Sequence, residues 1–167
     1  MWLSRLLKNM HELPRLTAIY ISSAAGEPMQ SVEDVTAIVG KGLGSDRYAQ
    51  TKGFWKSTDS CEVTLITQEE IDRASRHAAA AITQQLATGG HRRNLVIGGL
   101  SPGQLSGSRF AIGEVVFKYM RPRPPCGYLD RIAGNGMHKA LGKHSGACIV
   151  IVSGGRLSVG DTVKIIR

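Results

Sequence analysis

The chain is short of acid. Thirteen Asp and Glu stand against 21 Lys and Arg, leaving a formal charge of +8, so its long-range field attracts anions: phosphate-bearing ligands, nucleic acid or acidic membranes. It is also short of aromatics, with three Phe, four Tyr and two Trp. These nowhere alternate with basic residues as a base-stacking platform would, which makes nucleic acid an unlikely principal partner. No apolar run approaches the ~20 residues that a transmembrane helix needs. At the N-terminus, Trp2, Leu3, Leu6 and Leu7 are interrupted by Arg5, Lys8, His11 and Glu12, a pattern unlike a secretory h-region. Residues 1–15 are therefore expected to form an extension with the composition of a short amphipathic helix, ahead of one domain over 16–167. Cysteine is scarce too: Cys61, Cys126 and Cys148 are odd in number and widely spaced. That argues against a disulfide framework and for reduced thiols in a cytoplasm.

What the chain has in quantity is glycine, 20 residues of it. The glycines divide short β-type segments at 17–22, 35–39, 62–66, 94–97, 115–120 and 147–152, the pattern of a mainly β protein with tight corners. One helix is expected from Thr67, where Thr67 and Glu70 form a capping box. Ile71, Ala74, Ala78, Ile82 and Leu86 continue one face to a stop at Gly89-Gly90. Between Gly127 and Gly146 one or two short helices should turn Leu129, Ile132, Met137 and Leu141 inward. A short internal echo, Arg109-Phe-Ala-Ile-Gly-Glu-Val-Val and Arg156-Leu-Ser-Val-Gly-Asp-Thr-Val, predicts two β-hairpins.

Chemistry concentrates in three segments. In Met120-Arg-Pro-Arg-Pro-Pro-Cys-Gly-Tyr-Leu-Asp130, three prolines restrict the backbone ahead of Cys126, while Arg121 and Arg123 raise the local potential. A nearby guanidinium favours the thiolate, the form that attacks electrophiles or ligates a soft metal; the alternative is a buried structural cysteine. In His91-Arg-Arg-Asn94, guanidinium forks can hold phosphate and Asn94 can fix a loop or a heterocycle edge. The competing reading there is a solvated basic turn. Gly42-Leu-Gly-Ser-Asp-Arg-Tyr48 offers close backbone approach with Asp46 and Arg47 as polar groups, but its spacing is neither a dinucleotide fingerprint nor a Walker loop. A zinc site from Cys126, His138, His144 and Cys148 lacks the close ligand pairs of structural zinc.

Taken in order, these segments resemble the MOSC family, named for the C-terminal domain of molybdenum cofactor sulfurase. Gly42-Leu-Gly-Ser-Asp-Arg-Tyr looks like its loop ending in Gly-Asp-Arg-His. Arg92-Arg-Asn-Leu-Val-Ile is similar to its Arg-x-Asn-Ile-Val motif, and Arg121-Pro-Arg-Pro-Pro-Cys aligns with its Arg-Pro-Cys-x-x-Cys pattern. Arg123 stands where that pattern has its first cysteine, and Tyr48 where the early loop often has His. The resemblance implies a pyruvate-kinase-like β-barrel with a few helices, binding a molybdenum cofactor (molybdopterin). Cys126 would be the catalytic group and metal ligand, and Arg92, Asn94, Arg121, Arg123, Asp46 and Arg47 would contact the cofactor. It implies a reductase of N-hydroxylated compounds served by an electron-donor protein, because the chain carries no flavin, haem or iron–sulfur motif of its own. Two other classes of function stay open: a sulfur carrier with a persulfide on Cys126 or a non-catalytic cofactor-binding module, and a basic barrel that binds nucleic acid.

Overall fold

The computed structural model describes residues 13–53 and 57–167. The helix expected within 1–15 lies, up to residue 12, outside the described residues, and Arg15 already opens the first strand. Eleven strands and five helices follow one another in the described chain. The N-terminal part contributes β1 (Arg15–Ile21), β2 (Gln30–Val32), β3 (Asp34–Ile38) and β4 (Gly42–Leu43). After β5 (Val63–Thr67) come α1 (Gln68–Ser75), α2 (Ala80–Ala87), β6 (Leu95–Gly98) and the short α3 (Pro102–Leu105). The remainder is β7 (Arg109–Ile112), β8 (Val115–Pro122), α4 (Tyr128–Ala133), α5 (Met137–Leu141), β9 (Ala147–Ser153), β10 (Gly155–Ser158) and β11 (Val163–Ile166).

Eight strands form one sheet in the order β11-β7-β8-β9-β5-β6-β1-β2, and β10-β3-β4 form a second. All named pairings are antiparallel except β5 with β6, which are parallel and joined through α1 and α2. The protein is thus mainly β with a few helices, as expected. The large sheet curls until the start of β1 meets the approach to β11, through one isolated bridge between Arg15 and Thr162. Among the described residues no ladder continues from that bridge to close the sheet into a barrel.

Strand patterning explains the packing. In β3 buried Val35 and Ala37 alternate with exposed neighbours, the period-two signature of a half-buried strand. Leu16, Ile19, Leu65, Ile97, Phe110, Phe117 and Ile149 meet in one core, where the rings of Phe110 and Phe117 stack at 5.7 Å. A second core lies under the helices, and there Ile66 and Val96 of the parallel pair meet Ile71, Ile82, Leu129, Met137 and Leu141. Alternate residues of β5 and β6 therefore feed opposite cores, and both strands are buried along their length up to Gly98.

Two sequence expectations are corrected. The helix expected from Thr67 to the Gly89-Gly90 stop is two helices, because Ala79 is extended and caps α2, while the Ser75 carbonyl accepts from Ala78 N and Thr83 Oγ1. The apolar face survives the break, since Ile71, Ala74, Ala78, Ile82 and Leu86 all pack into the second core. The capping box at Thr67 and Glu70 forms as expected. Of the two hairpins, β7–β8 is one, but β10 pairs with β3 and β11 with β7. The linker after β10 is fixed elsewhere, Val159 N donating to Glu33 O and Gly160 N to Leu16 O, so it carries the chain from one sheet to the other.

Candidate functional site

The proline-rich exit from β8 is tied down before it reaches Cys126. Arg123 N donates to Gly146 O at 2.8 Å, and the Ser145 hydroxyl donates to Arg123 O. Past Pro124 and Pro125, Cys126 is partly buried and unbonded, and its carbonyl accepts from Leu129 N as α4 begins. The proline restriction inferred from sequence thus works with a backbone anchor to place the thiol.

Arg47, Arg92, Arg93 and Arg123 surround that thiol in a small cavity of about 30 Å³, completed in part by Tyr48 and Tyr128. Each guanidinium is held. Arg47 pairs with Asp46 at 3.1 Å, donates to Arg92 O at 3.4 Å and lies 4.4 Å from the centre of the Tyr48 ring. Arg93 donates through Nε to Ser145 O at 2.7 Å and through Nη2 to Arg123 O at 3.4 Å. Arg123 Nη1 lies 3.8 Å from Cys148 Sγ. Arg92 donates through Nη1 to Glu27 O at 2.7 Å, but its Nη2 is buried with no hydrogen-bond partner.

Arg92 and Arg93 share the cavity although neighbours on an extended strand point to opposite faces. The reason is the backbone at Arg92, whose φ of 62° places it in the left-handed region and breaks the alternation. Arg92 also lines a cleft of about 400 Å³ on its far side, with Met29, Gln85, Gly89 and Gly90.

The electrostatics favour a guest anion. Burial, and then Arg123, lower the Arg93 pKa to about 10; burial, and then Arg47, lower that of Arg92. Tyr128, Tyr48 and Asp46 oppose the lowering at Arg92 but do not reverse it, and the Asp46 oxygens are already engaged by Ser22 N, Tyr48 N and Arg47. An anion would relieve the repulsion among the guanidiniums and supply an acceptor for Arg92 Nη2.

Of the residues singled out in the sequence, Cys126, Arg47, Arg92 and Arg123 meet here. Three others do not line the cavity. Asp46 stands behind it as the partner of Arg47. Arg121 is exposed, and its Nη1 donates to Pro122 O at 3.5 Å. Asn94 is fully buried between strands: Oδ1 accepts from Thr64 N and Oγ1, and Nδ2 donates to Tyr20 O, so its amide is engaged within the fold. Sequence reasoning missed Arg93, Tyr48 and Tyr128 as cavity residues, although each lies within a segment it had marked. Cys61 and Cys148 form a disulfide, correcting the expectation of reduced thiols and removing Cys148 from any zinc set. Among the described residues no helix is long and apolar enough to cross a membrane.

The family model of the MOSC domain matches residues 55–164, well over half of the chain. The chain belongs to the MOSC domain family. Solved structures agree on the fold of this MOSC protein. The YuaD protein of Bacillus subtilis is similar with a TM-score of 0.66 and 12% identity, over 92% of this chain and 96% of that one. YiiM of Geobacillus stearothermophilus gives 0.63 and 15%, over 92% and 75%, and YiiM of Escherichia coli gives 0.62 and 16%, over 92% and 70%. At such identities the likeness establishes the MOSC fold alone. No curated protein matches the sequence.

Proposed function

We propose that this MOSC protein binds a molybdenum cofactor, with Cys126 as the protein's ligand to molybdenum and the surrounding arginines holding the anionic parts of the pterin. The observation that carries this reading is the convergence of Arg47, Arg92, Arg93 and Arg123 on one free cysteine. The donor set suits such a group: a thiolate is a soft ligand, and guanidinium forks match phosphate oxygens. The orphaned Arg92 Nη2 marks a place where an acceptor belongs. Arg92 faces both the thiol cavity and the larger cleft beyond it, which suits an elongated guest better than a lone ion. The inward curl of the sheet to the Arg15–Thr162 bridge supports reading it as a pyruvate-kinase-like barrel.

When bound, the cofactor supplies the redox chemistry, and reduction of N-hydroxylated compounds with electrons from a partner protein is the activity that follows. The chain's own contribution is to fix the thiol through the Arg123 anchors and to present a positive, partly desolvated cradle. Molybdenum analysis of protein from a cofactor-producing host tests this. Near-stoichiometric metal in the wild type, lost in Cys126→Ser and reduced in Arg92→Ala, is the expected result. Metal absent from the wild type, or unaffected by Cys126→Ser, overturns it. The free, partly exposed thiol also suits sulfur carriage; mass spectrometry would then show one reducible sulfur atom on Cys126 and no metal.

A further inference from the structure

A second cavity, of about 250 Å³, opens between α3 and the turn before β9, and none of its lining residues belongs to the Cys126 cavity. Its walls are apolar: Leu65, Pro102, Leu105 and Ala147. Thr67, Glu70, Ser106 and Tyr119 add polar groups to the lining, while Lys143 and His144 stand exposed at the mouth. The Glu70 carboxylate is 4% exposed and accepts from Thr67 N, Thr67 Oγ1 and Gly146 N at 2.9, 3.0 and 3.0 Å. None of these donors carries a charge, and among the described residues Glu70 has no ion pair.

The Glu70 carboxylate is thus hydrogen-bonded but without a counter-ion among the described residues, and it lines a cavity whose walls are mostly apolar, where a cation would complete a buried ion pair. We propose that this cavity is a ligand site for a small organic cation, an amine or amidine on a compact apolar body, with its head on Glu70 and the Tyr119 oxygen. Size agrees, because an apolar cavity of about 150 Å³ already accommodates benzene, so 250 Å³ takes one ring and its head group. Burial raises the Tyr119 pKa, a side-chain hydrogen bond with Ser106 opposes the rise, and the Glu70 charge adds a smaller upward push, which places the phenol within electrostatic reach of that carboxylate. The Lys143 charge at the mouth does not reverse the preference, because water screens this exposed group more than it screens Glu70.

Calorimetric titration of the intact protein with benzamidine, benzylamine and benzoate tests the assignment. Saturable binding of the two cations, with benzoate weaker, is expected. Glu70→Gln keeps a capping-box residue at its position and should weaken the cations by roughly tenfold or more, the range of a charge-assisted hydrogen bond. Gly103→Trp, at an exposed position on the rim, should abolish binding without touching the core; should Glu70→Gln fail to fold, this variant and Tyr119→Phe decide the question. Benzoate binding more tightly than benzamidine, binding indifferent to Gly103→Trp, or no binding by either cation overturns the proposal. None of these readouts depends on molybdenum.

Discussion

The Asp46 carboxylate grips the guanidinium of its own chain neighbour, Oδ1 lying 3.1 Å from Arg47 Nη1 with the two side chains 1% and 4% exposed. Asp46 also accepts from Ser22 N at 3.0 Å and Tyr48 N at 3.2 Å. It therefore ties β1 to the loop that delivers Arg47, and it is the counter-charge nearest to the arginine cluster in the chain's own hydrogen bonding.

Asp46→Ala is expected to destabilise the fold by about 3–5 kcal/mol, because truncating one member of a buried pair leaves the other charge uncompensated. Urea unfolding measures it. Asp46→Asn keeps acceptors for the two amides and should lose less. A loss under ~1 kcal/mol in Asp46→Ala would show that Arg47 finds another acceptor at little cost.

The Cys61–Cys148 disulfide spans 87 residues and joins the segment before β5 to β9. Closing a loop of that length restricts the unfolded chain, so reduction should lower stability by about 2–4 kcal/mol. Thermal unfolding of Cys126→Ser with and without reductant isolates this effect. Thiol titration of the denatured wild type should find one thiol before reduction and three after it; three at the outset would refute the bond.

Much of the architecture is legible in the chain because its causes are local. β-branched and aromatic residues mark 115–120 and β-branched residues 147–152, and the Thr67–Glu70 capping box marks the start of α1. The site was legible as segments but not as geometry. The sequence offers Arg92 and Arg93 as candidate phosphate forks but not the positive φ at Arg92 that accompanies their sharing one cavity. Asn94 reads alike whether its amide meets a ligand or, as here, cross-links β1, β5 and β6. The disulfide could not be read from spacing, because only the β5–β9 pairing brings its cysteines together. The second cavity has no local signature, being assembled from β5, α1, α3, β8 and the turn before β9.

His91 supplies a pH test. Burial, reinforced by Arg93, lowers its pKa from 6.5 to about 3, and its Nδ1 accepts from Arg93 N at 2.9 Å. The unfolded chain therefore binds a proton below about pH 6.5 that the folded chain refuses until about pH 3. Stability should fall with acidification through that window, by up to about 1.4 kcal/mol per pH unit from this group. His91→Asn retains an acceptor near Nδ1 and should show a flatter profile between pH 6.5 and 5, above the main carboxylate range. Parallel profiles for the two proteins would refute the assignment.

Gly146 is where the arginine site and the second cavity meet. Its N–H donates to Glu70 Oε1 and its carbonyl accepts from Arg123 N, so one peptide segment fixes both the floor carboxylate and the arm that leads to Cys126. Its φ of 93° is costly for any residue with a Cβ, and a Cβ there would stand 2.2 Å from Leu65 O. Leu65 belongs to a buried strand paired on both sides, so its backbone cannot withdraw without opening a ladder. Gly146→Ala should therefore cost more than ~2 kcal/mol, the combined effect of a strained backbone and a backbone clash. Because the displaced segment anchors Arg123, reactivity of Cys126 towards an alkylating reagent should change in the same variant under native conditions. Gly103→Trp, on the far rim of the cavity, should leave that reactivity unchanged. An Ala variant with wild-type stability and unaltered Cys126 alkylation would mean that the turn before β9 relaxes independently of the Arg123 arm.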